Sequence, residues 1–300
     1  MGTVVILGVF VADTAYRADR MPVMGETILG NAFALGPGGK GSNQAVACAR
    51  IGAETHMIAM LGQDDFGKLA LDTWADAGVT PHVRHLAESY TGAAHIFIEE
   101  STGNNAIIIA PGAAALMRVA DIDAQADLIA GADVFVTQLE QPMEAAMRGL
   151  QIAKAAGVTT ILNPAPAAEL PEGMLALCDY VTPNETECEA LTGIAVQTDA
   201  DAEKACGMLR KLGVGTPIVT MGEQGAYLYG HGVVPSVNAG AVVETTGAGD
   251  AFNGAFAAAL SEGKSPLEAV RYGCATAGIS VTRAGTAPSM PSRSEVEAIL

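Results

Sequence analysis

Continuous apolar runs alternate with segments of helical spacing through most of the chain. Val4–Leu7, Met57–Leu61, Val134–Thr137, Thr159–Leu162, Tyr180–Thr182 and Pro217–Thr220 read as strands. Asn43–Arg50, Phe66–Ala77, Met143–Ala156, Ala200–Leu212 and Ala251–Leu260 read as helices. A strand that is apolar at successive positions is buried on both faces, so the pattern predicts an α/β fold around a mostly parallel, doubly wound sheet. Two segments break the rhythm. Thr14–Leu35 has no helical spacing and carries Pro22, Gly25 and Gly30; Thr91–Ala110 reads as a hairpin with a polar tip from Glu99 to Asn105. Both are expected to form antiparallel additions, a small β-sheet that covers a site or pairs with a second subunit. No linker or repeat divides the chain, so one domain over 1–300 is expected, with the lid contributed by 14–37 and 91–110.

Composition narrows the function. Half of the 300 residues are apolar, but no run approaches the roughly 20 residues a membrane span needs. Thr3–Val11 reads as a buried strand and not as a signal peptide. Cys48, Cys178, Cys188, Cys206 and Cys274 are scattered and form no C-x-x-C pair, as expected of buried thiols in a reducing compartment. A soluble, cytoplasmic protein is expected. The net charge of −17, without a basic cluster, argues against a nucleic-acid partner. Any anionic ligand must then be held locally, by backbone amides, a few cations and bound metal.

Several short motifs carry candidate chemistry. Gly247-Ala248-Gly249-Asp250 brings backbone N–H groups to the start of a helix, an anion site with an acid in it. Asp250 either caps that helix or takes the proton from a hydroxyl attacking a phosphoryl group. Gly36-Pro37-Gly38-Gly39-Lys40-Gly41 matches G-x-G-x-x-G but follows an irregular segment instead of a first strand, which weakens a dinucleotide reading. It also lacks the Ser/Thr of a P-loop. What remains is a glycine turn that lets a polar ligand approach the backbone, with Lys40 and Asn43 as hydrogen-bonding groups. Asp13, at the end of the first strand's segment, and Glu140, after Val134–Thr137, together suit recognition of sugar hydroxyls, whereas each alone reads as an ordinary polar loop residue. Asn184 and Glu187 share one face of a helical turn, to hold magnesium through its waters or to form a capping box. Thr220-Met221-Gly222-Glu223-Gln224-Gly225 offers glycines for a nucleotide, or a hairpin turn. The five histidines show no metal-ligand spacing, and His82 and His85 read as surface residues without partners.

Together these segments resemble one family. Gly38-Gly39-Lys40-Gly41-Ser42-Asn43-Gln44-Ala45 and Thr245-Thr246-Gly247-Ala248-Gly249-Asp250-Ala251-Phe252 look like the two signatures of the ribokinase-like carbohydrate kinases. Asn163-Pro164-Ala165-Pro166-Ala167, Thr182-Pro183-Asn184-Glu185-Thr186-Glu187, Val281-Thr282-Arg283 and Pro288-Ser289 are similar to the ribokinase branch. The resemblance implies a three-layer fold, a central sheet flanked by helices under a small β lid, and a homodimer formed through the lid. It implies Asp250 as catalytic base and the amides of Gly247, Ala248 and Gly249 as the anion hole. It further implies Asp13, Gly39, Lys40, Asn43 and Glu140 at the sugar, and Asn184 and Glu187 at the magnesium and phosphates. Thr220, Gly222, Gly225 and Cys274 then fall at the nucleotide. Glu244, Thr246, Val281, Gly285 and Ser289 would line a monovalent-cation site.

The activity so implied is ATP- and Mg2+-dependent phosphorylation of the primary hydroxyl of a small sugar, D-ribose foremost, with K+ as activator. A kinase for fructose, a deoxy or keto sugar or a nucleoside is the alternative, and a non-catalytic sugar-binding protein a more distant one. Three positions depart from the resemblance: Val11 stands where ribokinases present an Asn, Glu244 where they carry an Asp, and Cys274 where an Asn or His meets the base.

Overall fold

The computed structural model describes residues 2–300; Met1, at the head of the expected domain, lies outside the described residues. In chain order the strands are β1 (Thr3–Leu7), β2 (Val11–Ala18), β3 (Ala32–Gly38), β4 (Glu54–Gly62), β5 (Thr80–Leu86), β6 (Thr91–Glu99), β7 (Asn105–Gly112), β8 (Val134–Thr137), β9 (Thr159–Leu162), β10 (Tyr180–Val181), β11 (Thr216–Thr220), β12 (Ala226–Leu228) and β13 (Gly232–Val234). The helices are α1 (Lys40–Ile51), α2 (Asp65–Ala77), α3 (Val119–Asp123), α4 (Ala126–Ala130), α5 (Met143–Ala155), α6 (Glu185–Thr192), α7 (Asp199–Lys211), α8 (Ala248–Ser261), α9 (Pro266–Ser280) and α10 (Arg293–Glu297).

The larger sheet runs β13-β12-β11-β10-β9-β8-β1-β4-β5. Every neighbouring pair from β11 to β5 is parallel, and β12 and β13 add an antiparallel edge. The reason for continuous apolar strands is visible in β1. Val4 and Ile6 belong to the core shared with α1, α8 and α9 on one face, whereas Val5 and Leu7 belong to the core shared with α5 and α7 on the other. The expected three-layer α/β architecture is therefore present.

The smaller sheet runs β3-β2-β6-β7. The hairpin over 91–110 forms as β6 and β7, but β2 pairs with β6 in parallel, so the expectation of a purely antiparallel addition is corrected. Asp13 also moves. The apolar run from Thr3 to Val11 reads as one strand, yet the chain breaks at Gly8–Phe10, and Asp13 lies within β2 in the smaller sheet.

Strand order reverses between β1 and β8, since the chain travels outward through β4 and β5 and returns to pair β8 beside β1. The carboxyl ends at such a switch point form the crevice where α/β folds place ligands. The smaller sheet rises from this end of β1.

Candidate active site

The glycine turn before α1 exists first because chain packs on chain. Gly39 has φ 89°, and a Cβ there would lie 2.6 Å from the Val9 carbonyl oxygen. A Cβ on Gly41 would lie 2.7 Å from the Gly8 Cα, and one on Gly38 would strike the Asp13 carboxylate. The glycines thus dock the start of α1 against the end of β1 and against Asp13, instead of clearing room for a ligand alone. Lys40 then begins the helix, and its N–H donates to the Glu140 carboxylate at 2.8 Å.

Asp250 is the third residue of α8 but does not cap it. The N-cap is Gly247, in a left-handed conformation and without a side-chain cap. The Asp250 carboxylate instead accepts from Asn43 Nδ2 at 3.0 Å and from Gln44 Nε2 at 3.1 Å. The capping reading falls. Ala248 N–H donates to the Thr245 carbonyl at 3.2 Å, whereas those of Gly249 and Asp250 find no acceptor among the described residues. Open space surrounds Gly249. Free donors and the positive end of α8 therefore face a cleft with a carboxylate at its floor.

This floor is acid-rich. Burial holds the Asp250 carboxyl above its ordinary range, opposed by the Lys40 charge and the Asn43 and Gln44 amides. Burial pushes Glu140 up to about 7, with Lys40 opposing and the Asp250 and Asp13 charges adding to the rise. Asp13 is pushed up to about 6, by burial and then by the Glu244 charge. Lys40 is thus the cation that tempers several acids at once. Asn43 is 4% exposed, and its Oδ1 has no partner. A buried acceptor left open beside a carboxylate fits a polyol, in which one hydroxyl donates to Asn43 Oδ1 and a neighbouring one to the carboxylate.

Of the remaining candidates, Asn184, Glu187 and Thr220 lie after the carboxyl ends of the neighbouring strands β10 and β11. Asn184 and Glu187 follow β10 and form a reciprocal capping box, with bonds of 2.9 and 2.8 Å. That occupies one oxygen of each side chain, and Glu187 keeps its second carboxylate oxygen. Asn184 bridges to Thr220 at the end of β11. The turn after Thr220 is indeed a hairpin from β11 to β12. Gly225 is required by it, because a Cβ there would strike the Val234 carbonyl, whereas Gly222 faces open space. Cys274 is buried in the core, its thiol 3.9 Å from the Val234 carbonyl. Glu244 accepts from Gly285 N–H at 2.8 Å, and the Val281 carbonyl receives the N–H groups of Val243 and Glu244 at 2.8 and 3.1 Å. Ser289 Oγ donates to the Thr286 carbonyl at 2.7 Å.

His82 lies outside this site and has a partner after all: His56 Nδ1 stands 3.0 Å from its Nε2. The sequence reading also left Gln44, Gln138, Asn163 and Asn253 without a role. Gln138 Nε2 donates to Gln44 Oε1 at 2.6 Å, Gln44 Nε2 to Asn163 Oδ1 at 3.0 Å, and Asn163 Nδ2 to the Thr182 carbonyl at 3.2 Å. Thr182 Oγ1 donates to Asn253 Oδ1 at 2.6 Å. The available signal was an amide within the apolar helix Asn43–Arg50 and another directly after strand Thr159–Leu162.

The chain matches the pfkB family carbohydrate kinase model over residues 1–293. It is 38% identical to a ribokinase of Haemophilus influenzae over 296 residues, covering 98% of this chain and 96% of that one. It is 35% identical to a deoxyribokinase of Salmonella typhi over 294 residues, covering 96% and 95%. The structure of Arabidopsis thaliana ribokinase complexed with ribose and ATP superposes with a TM-score of 0.93 at 34% identity, covering 99% of this chain and 98% of that one. Similarity over nearly the whole length places the protein in the pfkB family of carbohydrate kinases.

Proposed function

We propose that this protein transfers the γ-phosphoryl group of ATP to the primary hydroxyl of D-ribose, giving D-ribose 5-phosphate and ADP, as one kinase domain over 1–300 with its lid at 14–37 and 91–110. The observation that carries the reading is the uncapped start of α8, where free N–H groups of Gly249 and Asp250 adjoin a carboxylate held by Asn43 and Gln44. Asp250 accepts the proton of the attacking hydroxyl, the sugar oxygen bonds to the γ-phosphorus, and the bond to the bridging oxygen of ADP breaks. The α8 amides meet negative charge on the transferring group. Asp13, Gly39, Lys40, Asn43 and Glu140 orient the sugar, and the smaller sheet above them excludes water. Ribokinase relatives and the ribose- and ATP-bound relative support this acceptor and donor.

Two ions belong to the reading. Glu187, with a carboxylate oxygen left over from its capping box, and Asn184 fit the water-mediated hold of Mg2+ beside phosphates. A monovalent cation fits Glu244, which forms no ion pair among the described residues, together with Thr246, Gly285 and Ser289. The Val281 carbonyl is already spent on two N–H groups and fits less well. Such an ion neutralises Glu244 near the phosphoryl path. A homodimer through the lid is supported by the exposed apolar residues Phe33, Leu35, Ile107, Ile108 and Ile109.

One observation favours a second acceptor. Val11 is buried against Val9, Ala94 and Ala114, so an apolar wall adjoins Asp13 where a polar partner would meet a hydroxyl. A 2-deoxypentose loses nothing against such a wall, and a site without a polar partner discriminates poorly. An acceptor panel with ATP, comparing kcat/KM for ribose, 2-deoxyribose, fructose and nucleosides, separates the two. Ribose at or near the top supports the proposal; a clear lead for 2-deoxyribose replaces the acceptor. No ADP release with any acceptor removes the kinase reading.

A further inference from the structure

We infer that Gln44 is a positioning residue that keeps one oxygen of the Asp250 carboxylate a pure acceptor and directs proton uptake to the other. The inference rests on Asp250 being the base.

The argument starts from a group that cannot change its polarity. The Thr182 carbonyl only accepts, so Asn163 must turn Nδ2 to it, at 3.2 Å, and Oδ1 toward Gln44. Gln44 must then present its amino group, which donates both to Asn163 Oδ1 at 3.0 Å and to Asp250 Oδ1 at 3.1 Å. Its own Oε1 accepts from Gln138 Nε2 at 2.6 Å. Rotating the Gln44 amide would set its oxygen against two acceptors. Both Gln44 and Asn163 are buried, so no solvent relaxes this order. A proton on Asp250 Oδ1 would meet a donor that cannot turn away.

The other oxygen is free of that constraint. Asp250 Oδ2 accepts from Asn43 Nδ2, but Asn43 Oδ1 has no partner, so this amide can turn and accept from a protonated Oδ2. The two oxygens therefore differ: Oδ1 is anchored through Gln44 and Asn163 to the backbone, and Oδ2 is adaptable. Hydrogen bonds to the charged form also oppose the burial that favours the neutral acid. The charged groups acting on Asp250 are Lys40, which favours the anion, and Glu140 and Glu187, which oppose it.

The test is the pH profile of kcat/KM for ribose at saturating ATP in wild type, Gln44→Met and Asn163→Ala, with Asp250→Asn as control. Methionine keeps the length of Gln44 and removes its donors. Without them the anion is less favoured, so as pH falls activity begins to fail at a higher pH than in wild type. The acid limb of Gln44→Met is expected to move up by about one pH unit or more, giving roughly tenfold lower kcat/KM below the limb. The alkaline plateau should stay near wild type. Asn163→Ala is expected to shift the limb the same way by less. A uniform loss at every pH, with the limb unmoved, overturns the inference and leaves Gln44 a packing residue. If Gln44→Met does not fold, as judged by thermal unfolding, the Asn163→Ala profile decides by the same criterion. Turnover persisting in Asp250→Asn refutes the base assignment itself, an outcome distinct from an unmoved limb.

Discussion

Asn43 Nδ2 and Asp250 Oδ2, 207 positions apart in the chain, meet at 3.0 Å at the crossing of α1 and α8. The bond joins the two most informative motifs of the sequence into one site, and it leaves the second amide atom of Asn43 open. Asn43→Ala removes an Asp250 donor and the open acceptor together. Ribose binding, measured by calorimetry without nucleotide, should weaken by about tenfold, the effect of one lost hydrogen bond. Unchanged affinity would take Asn43 out of the sugar site.

Glu140 couples stability to pH. Its folded-state pKa, about 7, lies above the ordinary 4.5, so the fold favours the protonated form. Its contribution is then fully present below about pH 4.5 and is lost as pH rises through about 7. Asp13, raised from 3.8 to about 6, acts in the same direction at slightly lower pH. Ligand-free protein should accordingly lose stability between about pH 4 and 7. Glu140→Gln, which can still accept the Lys40 N–H, should flatten that slope and raise Tm at pH 8 by a few degrees, corresponding to about 2 kcal/mol. It should leave Tm at pH 5 nearly unchanged and lower kcat/KM for ribose.

Two glycines in α8 separate packing from chemistry. A Cβ on Gly254 would strike the Gln44 carbonyl and lie 2.6 Å from the Ala47 Cβ, whereas one on Gly249 meets nothing within 4 Å. Gly254→Ala pushes α1 and α8 apart and should cost about 1–3 kcal/mol in unfolding experiments while lowering kcat. Gly249→Ala should leave Tm unchanged and affect only turnover and KM for ATP, because its methyl enters the phosphoryl nest.

The Glu244 carboxylate should make the rate respond to monovalent cations. Replacing K+ by a bulky organic cation is expected to lower kcat several-fold, and Glu244→Ala should abolish the response. Equal rates in both media would mean that the Glu244–Gly285 bond alone holds the loop.

Legibility followed the range of the interactions involved. Strands β8 and β9 were readable to the residue, since burial on both faces leaves a run of apolar residues. β5 was not, because it is an edge strand with Pro81, His82, Arg84 and His85 on a largely exposed surface. α9 was overlooked although Pro266 at its first turn and the Ser265–Glu268 capping box mark its start. Asp13 was misplaced because the chain leaves one strand at Leu7 and enters the next at Val11 within residues that are apolar throughout. The glycine–acid motif at the start of α8 gave the reaction class, but the amides that hold Asp250 are ordinary Gln and Asn residues. Their role appears only when α1 and the ends of β8, β9 and β10 converge.

The most direct test of the account is Asp250→Asn, assayed for ribose phosphorylation and, separately, for ribose and ATP binding. The fold should tolerate it, because Asn43 can turn its unpartnered oxygen toward the new amide. The account predicts a fall in kcat on the order of 10²–10⁴, the usual worth of a positioned base, with both affinities largely retained. Near-normal kcat in Asp250→Asn would contradict it.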